Sequence, residues 1–511
     1  MLGFFSNKSD HPLANLKSAQ QLLDGLPKTD AVEVLQEIGH WIEALIDPEN
    51  EFRLDHQYAV LRLLDDAAHP YLRKITHSYF AATPPAAFQE NRQWGAMNIY
   101  FTFSELGYLN LLNGIRNGDK GSSGIKSFLP LIVARGIYAV SGRLECAAVR
   151  YAPIDPQLWE HLAGFYAEAE KHQCLDEMQA VYAGPGEAAS IHNLFASLLM
   201  WYTAGVGSFR PLDLHIAKRL ITHMSKSFVI DKQCAADSLF SFDLTHPSAP
   251  TRVKEAGTMY PTSMRFASVG GAPKLFDDML RTLGKHLVPE ELNMGAAYSA
   301  DMVSEVARQL SACCNAPLPV RRHTRRKIKV NVNVANGFSK VIEQTAVDFY
   351  LDLTPSETWE VEDISATGFR CVLPAGRASN VKIGALVGLQ PDQVMHWGAG
   401  IVRRLSRDAQ QNLHVGIEML SSKVRGVVLH DNDGIRHDGV HSALFLGNPE
   451  MQSGEGLVLM QADTYSGSRR PTMKIDEKIY LLLPLALVEK GEDFDLTRYR
   501  MMEQDTSEEA Y

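Results

Sequence analysis

Apolar and polar positions recur along this chain with two different periods, and the change from one to the other divides it. Up to about residue 225 the spacing is helical. Asp30 and Glu33 make a capped start, after which Val32, Leu35, Ile38, Ile42 and Leu45 share one face as far as Asp47-Pro48. The stretch 56–64 continues as a helix that should stop at Pro70. Further helical windows cover 88–112 and 125–149, with breaks at Gly118-Asp119 and Pro153. Trp159, Leu162, Ala163 and Tyr166 are spaced like the opening of a tetratricopeptide repeat, but no second copy follows at the repeat interval. A single amphipathic helix with an aromatic core face is the simpler reading. The window 193–204 is almost wholly apolar and belongs inside a helical bundle or array.

Between 226 and 268 the texture changes to short, aromatic, alternating runs (227–230, 239–242, 264–267) separated by Pro247, Pro250 and Pro261. These predict strands or extended loops inserted among helices. Helices resume over 274–287 and 290–313 and end at the proline-marked linker Asn315-Ala316-Pro317-Leu318-Pro319. Beyond it the period is two. Ile328, Val330, Val332 and Val334 alternate with Lys329, Asn331 and Asn333 as in a half-buried strand. Residues 359–362 and 369–373 flank a glycine turn and make a hairpin, and 382–389, 398–405 and 414–420 supply more strands. Five or six short antiparallel strands in succession indicate a small closed or nearly closed barrel.

After 430 the runs 442–446, 456–462 and 479–488 remain strand-like, either extending that barrel or forming a separate small sheet. The expected fold is therefore multidomain α + β. It has a large, mainly α-helical region at 1–316 with a possible β insertion at 226–268. An all-β six-stranded antiparallel barrel at 317–430, a β-rich extension at 431–500 and an acidic, disordered tail at 501–511 follow.

Composition narrows the function. With 511 residues, 45% of them hydrophobic and 22% charged, the chain has the make-up of a soluble globular protein of several domains. A net charge of −10 argues against general binding to DNA or RNA. Six scattered cysteines without a Cys-x-x-Cys pair fit free thiols in a reducing compartment. The first residues carry too short an apolar run for a signal peptide, and no window reaches the ~20 apolar residues of a membrane span. A cytoplasmic protein is expected.

On this acidic background, positive charge concentrates in Arg321-Arg322-His323-Thr324-Arg325-Arg326, continued by Lys327 and Lys329, at the junction of the helical and β parts. Such a local patch selects small anions. Guanidinium groups grip a phosphate or the O6/N7 edge of guanine through paired hydrogen bonds, and they stack on base faces. Further on, Asp363-Ile364-Ser365-Ala366-Thr367-Gly368 ends a strand in a turn. Asp363 can accept from guanine N1–H and its amine, Ser365 can serve a base or phosphate oxygen, and Gly368 permits close backbone approach. Together they suit a guanine nucleotide.

Arg321-x-x-x-Arg325 before a barrel, with Asp363-x-Ser365-x-x-Gly368 on a strand turn, resembles the PilZ domain, the bacterial receptor module for cyclic di-GMP. Gly400-Ile401-Val402-Arg403-Arg404 and Val415-Gly416-Ile417-Glu418 are similar to the family's late strands. The resemblance spans about 320–430 only. It implies a six-stranded barrel, an arginine loop over the dinucleotide, and a second wall made by Asp363, Ser365 and Gly368. Arg322-x-x-x-Arg326 fits the spacing equally well. An arginine just ahead of the motif, as Arg321 would then be, implies an intercalated ligand dimer, whereas Val320 in that place implies a single molecule. The interval from Arg325 to Asp363 is longer than usual, with 335–356 as an apparent insertion.

Other constellations carry less. His430, Asp431, Asp433, His437, Asp438 and His441 match neither a calcium loop nor zinc spacing and read as a polar loop. Glu43-Ala44-Leu45 spells the tripeptide of cyclic di-GMP phosphodiesterases, but without their metal-binding acids. No phosphate-binding loop, dinucleotide fingerprint or nucleophile elbow is present. The expectation is a non-enzymatic cyclic di-GMP receptor acting on a protein partner, with no catalytic residue, metal or cofactor. A protein-interaction scaffold is the alternative.

Overall fold

In the computed structural model the described residues are 11–83, 85–184, 188–253, 259–294, 297–314, 324–345, 357–377, 380–392, 394–431, 439–447, 454–475 and 478–504. They form two compact units, one of residues 1–150 and 154–320, the other of 151–153 and 321–511. The fold class is α + β as the periodicity predicts: helices dominate the first unit, and the second holds two closed six-stranded antiparallel barrels.

In the first unit α1 (Leu16–Asp24), α2 (Ala31–Ile46), α3 (Leu54–Tyr79), α4 (Ala87–Asn117) and α5 (Leu129–Ala148) are followed by α6 (Gln157–Lys171). A small hairpin, β1 (Met178–Ala180) with β2 (Ala188–Ser190), leads to α7 (Ile191–Thr203) and α8 (Pro211–Met224). The inserted strands are β3 (Val229–Asp231), β4 (Ser238–Asp243), β5 (Thr251–Arg252) and β6 (Met264–Ser268), in the sheet order β3-β6-β4-β5. Then come α9 (Ala272–Leu283) and α10 (Ala300–Cys314). Asp30 caps α2 by accepting from the N–H groups of Val32 and Glu33. Gly118, at φ 75°, closes α4. The repeat-like residues Trp159, Leu162, Ala163 and Tyr166 are all buried on one face of α6.

Two expectations need correction. Pro70 does not end its helix: α3 runs through it to Tyr79. A proline inside a helix costs about 3 kcal/mol, but beyond it Leu72, Ile75 and Tyr79 are all buried, and that packing offsets the lost hydrogen bond. The windows 274–287 and 290–313 are also cut short, the first helix stopping at Leu283. Asn293 takes a left-handed φ of 52°, and the second helix begins only at Ala300.

Buried charge ties the helices together. Asp65, fully buried on α3, accepts from Tyr100, Tyr108 and Tyr182 and from Arg135 Nη1 at 2.9 Å. Burial raises its carboxyl above the usual range, against the pull of Arg135. Removing either partner would strand a buried charge. Among the described residues no helix is long and apolar enough to cross a membrane.

The first barrel comprises β7 (Arg326–Asn336), β8 (Glu357–Ser365), β9 (Gly368–Leu373), β10 (Leu386–Pro391), β11 (Gly398–Arg407) and β12 (Leu413–Ser421), closed in the order β10-β11-β12-β9-β8-β7. Val332 and Val334 point inward with Trp359, Val361 and Cys371. Val330 departs from the expected alternation and is 49% exposed, next to a register shift between Lys327 and Val330. The second barrel has β13 (Val424–His430), β14 (Val440–Leu446), β15 (Glu455–Gln461), β16 (Thr472–Ile475), β17 (Lys478–Lys490) and β18 (Phe494–Gln504). It closes in the order β13-β14-β15-β18-β17-β16, so the strands after 424 form a separate closed barrel. Pro484 sits inside β17 at a register shift, where no ladder N–H is demanded of it.

The inserted interval after β7 contains a short helix, α11 (Phe338–Thr345), whose Phe338 and Val341 pack into an apolar layer. That layer joins Leu386, Trp397 and Ile401 of the first barrel to Val424, Leu444 and Phe494 of the second. Asp493 fastens the same seam, accepting from the N–H of Phe338 at 2.6 Å and of Leu386 at 2.9 Å. Arg403, bulged on β11, reaches Glu418 on its own barrel and both carboxylate oxygens of Glu489 on the other.

Candidate functional site

The hairpin of β8 and β9 positions the acidic motif. Antiparallel partners directly opposite one another share a face. Val361 pairs with Cys371, and both point into the barrel. Strict alternation would turn Asp363 inward as well. A register shift between Val361 and Asp363 instead leaves Glu362 as an extra residue, and Asp363 pairs with Arg370. The bulge changes the phase, so that Asp363 and Ser365 face outward. Gly368 then pairs with Ser365 and with Glu418 on β12. A β-carbon at Gly368 would lie 2.2 Å from the Ile417 carbonyl oxygen, so only glycine fits this close approach of strands. Ser365 Oγ donates to the Gly368 carbonyl at 3.3 Å.

Arg325, just before β7, donates from Nη1 to Asp363 Oδ1 at 2.9 Å. The two motifs, 38 residues apart in sequence, therefore meet on one outward face. With Arg325 39% exposed, the ion pair contributes about 0–1 kcal/mol to stability. Its interest is the exposed guanidinium beside a carboxylate. Arg326 is in register with Ile364, on the alternate position of the strand. Arg321 and Arg322 lie outside the described residues.

Register also places cations that motif reading alone does not single out. A lateral row crosses the outer face from Lys327 to Asp363, Arg370, Gly416 and Arg404, on β7, β8, β9, β12 and β11 in turn. Gly416 leaves a gap between the two arginines. Arg370 is oriented by Glu362, whose Oε2 lies 3.1 Å from its Nε and 2.9 Å from His414 Nδ1. Counting by twos from Gly368 would have found Arg370. Arg404 required the long-range pairing of β11 with β12. This row supplies separated positive charges flanking one acceptor, a surface suited to phosphates joined by hydrogen-bonding rings.

The polar run after 430 is only partly visible, since 432–438 lie outside the described residues. His441 and Arg469 both approach Asp431, at 3.6 and 3.5 Å. No group of three or more metal-ligating side chains occurs among the described residues. Glu43 is exposed on α2 beside His40, while Leu45 is core, as in an ordinary amphipathic helix.

Fold and surface together describe a helical unit joined to tandem barrels, the first with a cationic outer face around an Asp-x-Ser-x-x-Gly hairpin. Among known families, residues 17–234 match the model described as "Cyclic-di-GMP receptor FimW, N-terminal domain". The helical unit is thus similar to part of a cyclic di-GMP receptor, and the match stops short of both barrels. No curated protein matches the chain.

Proposed function

We propose that this chain is a bacterial, cytoplasmic, non-enzymatic receptor for cyclic di-GMP, and that its first barrel is a PilZ domain. The observation that carries this reading is the Arg325–Asp363 contact, which joins the arginine segment to the hairpin carboxylate on one exposed face. The likeness of residues 17–234 to a cyclic di-GMP receptor supports it from a separate part of the chain. Arg325, Asp363, Ser365 and Gly368 hold guanine and phosphate, with Arg321 as the partner of Arg325. Arg322 and Arg326 form the second pair. The contact of Arg325 with Asp363 supports Arg321-x-x-x-Arg325 as the working pair, which goes with a single ligand and Val320 ahead of it. Binding at the arginine segment reorients the helical region relative to the barrel, a switch driven by local charge. Its output is control of a protein partner in motility, adhesion or exopolysaccharide production.

Calorimetric titration of the full chain with cyclic di-GMP tests this reading. Saturable binding is expected, weakened about ten- to a hundredfold in Arg325→Ala and in Asp363→Ala. Absence of heat, or unchanged affinity in both variants, refutes it. A scaffold whose barrel binds no nucleotide is the second reading, favoured by the exposed apolar run Leu485, Leu487 and Val488 on β17. It predicts the same pulled-down partners with and without nucleotide.

A further inference from the structure

The helical unit contains a cavity of about 560 Å³ lined by its own residues. Its floor is built from the apolar and aromatic side chains of Leu72, Phe80, Met97, Phe101, Tyr138 and Tyr298. His215 lies flat against Phe80, ring centres 4.4 Å apart and planes within 11°. The rim has a different chemistry. Arg73, Lys74 and His77 project from α3, and Lys218, Arg219 and Thr222 from α8.

Glu145 is the sole carboxylate among the lining residues. It is already engaged, by Lys218 Nζ at 2.7 Å and His215 Nδ1 at 3.5 Å. Burial opposes its ionisation, but Lys218 and His215 outweigh that and hold the carboxyl down at about 2. Lys218 is thereby neutralised. Lys74 and Arg219 remain exposed, with no ion pair among the described residues. A local surplus of cations over an aromatic floor, in a chain of net charge −10, is a site for an anion that carries a ring. The volume falls within the range of about 300–1,000 Å³ usual for small-molecule sites.

We propose that this cavity binds a small ring-bearing phosphate ester the size of a nucleoside monophosphate. The phosphate sits at the rim, where Arg219 and Lys74 supply charge-assisted hydrogen bonds, and the ring lies against Phe80 and its aromatic neighbours. This site stands independently of the barrel reading.

The test is calorimetric titration of the full-length Asp363→Ala protein, whose barrel carboxylate is removed, with GMP, AMP and inorganic phosphate. Saturable binding of GMP or AMP is expected, with inorganic phosphate at least tenfold weaker. Lys74→Glu and Arg219→Glu, both exposed and harmless to packing, should each weaken nucleotide binding about tenfold or more with an unchanged circular dichroism spectrum. Three results would overturn the proposal: no saturable binding of either nucleotide, inorganic phosphate binding as tightly as GMP, or full affinity in Arg219→Glu.

Discussion

The two barrels share one topology and differ in what they carry. In the first, β7-β8-β9 form a meander, β10 returns to β7, and β12 closes on β9. In the second, β13-β14-β15, the return of β16 to β13, and the closure of β18 on β15 repeat that plan strand for strand. Even the bulged strand recurs: β11 shifts register around Arg403, and its counterpart β17 shifts before Glu489, the residue Arg403 holds. Yet residues 424–504 contain neither an Arg-x-x-x-Arg nor an Asp-x-Ser-x-x-Gly sequence. Closing six strands solves the problem of exposed edges and by itself does no chemistry. The difference lies in one extra residue, Glu362, which turns a carboxylate outward, and in the cations that register sets beside it.

The contrast is open to four experiments. The largest effect should come from the seam. Asp493→Ala leaves the N–H groups of Phe338 and Leu386 unpaired and should cost about 3 kcal/mol in urea denaturation. Next, Arg325→Ala and Asp363→Ala should weaken cyclic di-GMP binding about ten- to a hundredfold by calorimetry, while shifting stability by less than about 1 kcal/mol. Lys478→Ala, an exposed ion-pair residue of the second barrel, should leave that affinity unchanged.

Third, Gly368→Ala forces a β-carbon onto the Ile417 carbonyl and should destabilise the first barrel by about 2 kcal/mol. Gly376→Ala, with open space around it, should stay within about 0.5 kcal/mol in the same urea assay. The smallest effect is alkaline. Burial pushes the Cys371 thiol of the first barrel from 9.0 to about 12, and the Tyr499 phenol of the second from 10.0 to about 12. Each native state holds its proton more tightly than the unfolded chain does. The associated stability is full below the unfolded value and is lost as pH rises toward 12. The loss should begin earlier for the first barrel, near pH 9, than for the second, near pH 10. Cys371 alkylation and tyrosine ionisation, followed against pH, report the two separately.

The hairpin was legible in sequence because its signals are local: a glycine turn, alternation on either side, and a carboxylate and hydroxyl at fixed offsets. The bulge was not, since one extra residue shows only when a partner strand supplies the register. For the same reason the run after 430 reads as strands without revealing a closed barrel, because period-two alternation does not record which strands pair. In the helical unit Asp30 and Gly118 mark ends correctly, whereas Pro70 misleads, because packing beyond it outweighs a local preference. The Asp65–Arg135 cluster and the rim of the cavity join residues 70 or more positions apart, and no short window contains both partners.

The shared layer around α11 has a practical consequence for anyone cutting this molecule into pieces. Only Ser422 and Lys423 separate β12 from β13. A fragment ending there would carry Leu386, Trp397, Ile401 and Val341 into water on one contiguous face. Such a patch invites self-association. The smallest portion of the β half that keeps that layer covered runs from β7 through β18, and a fragment made for crystals or binding assays should keep both barrels.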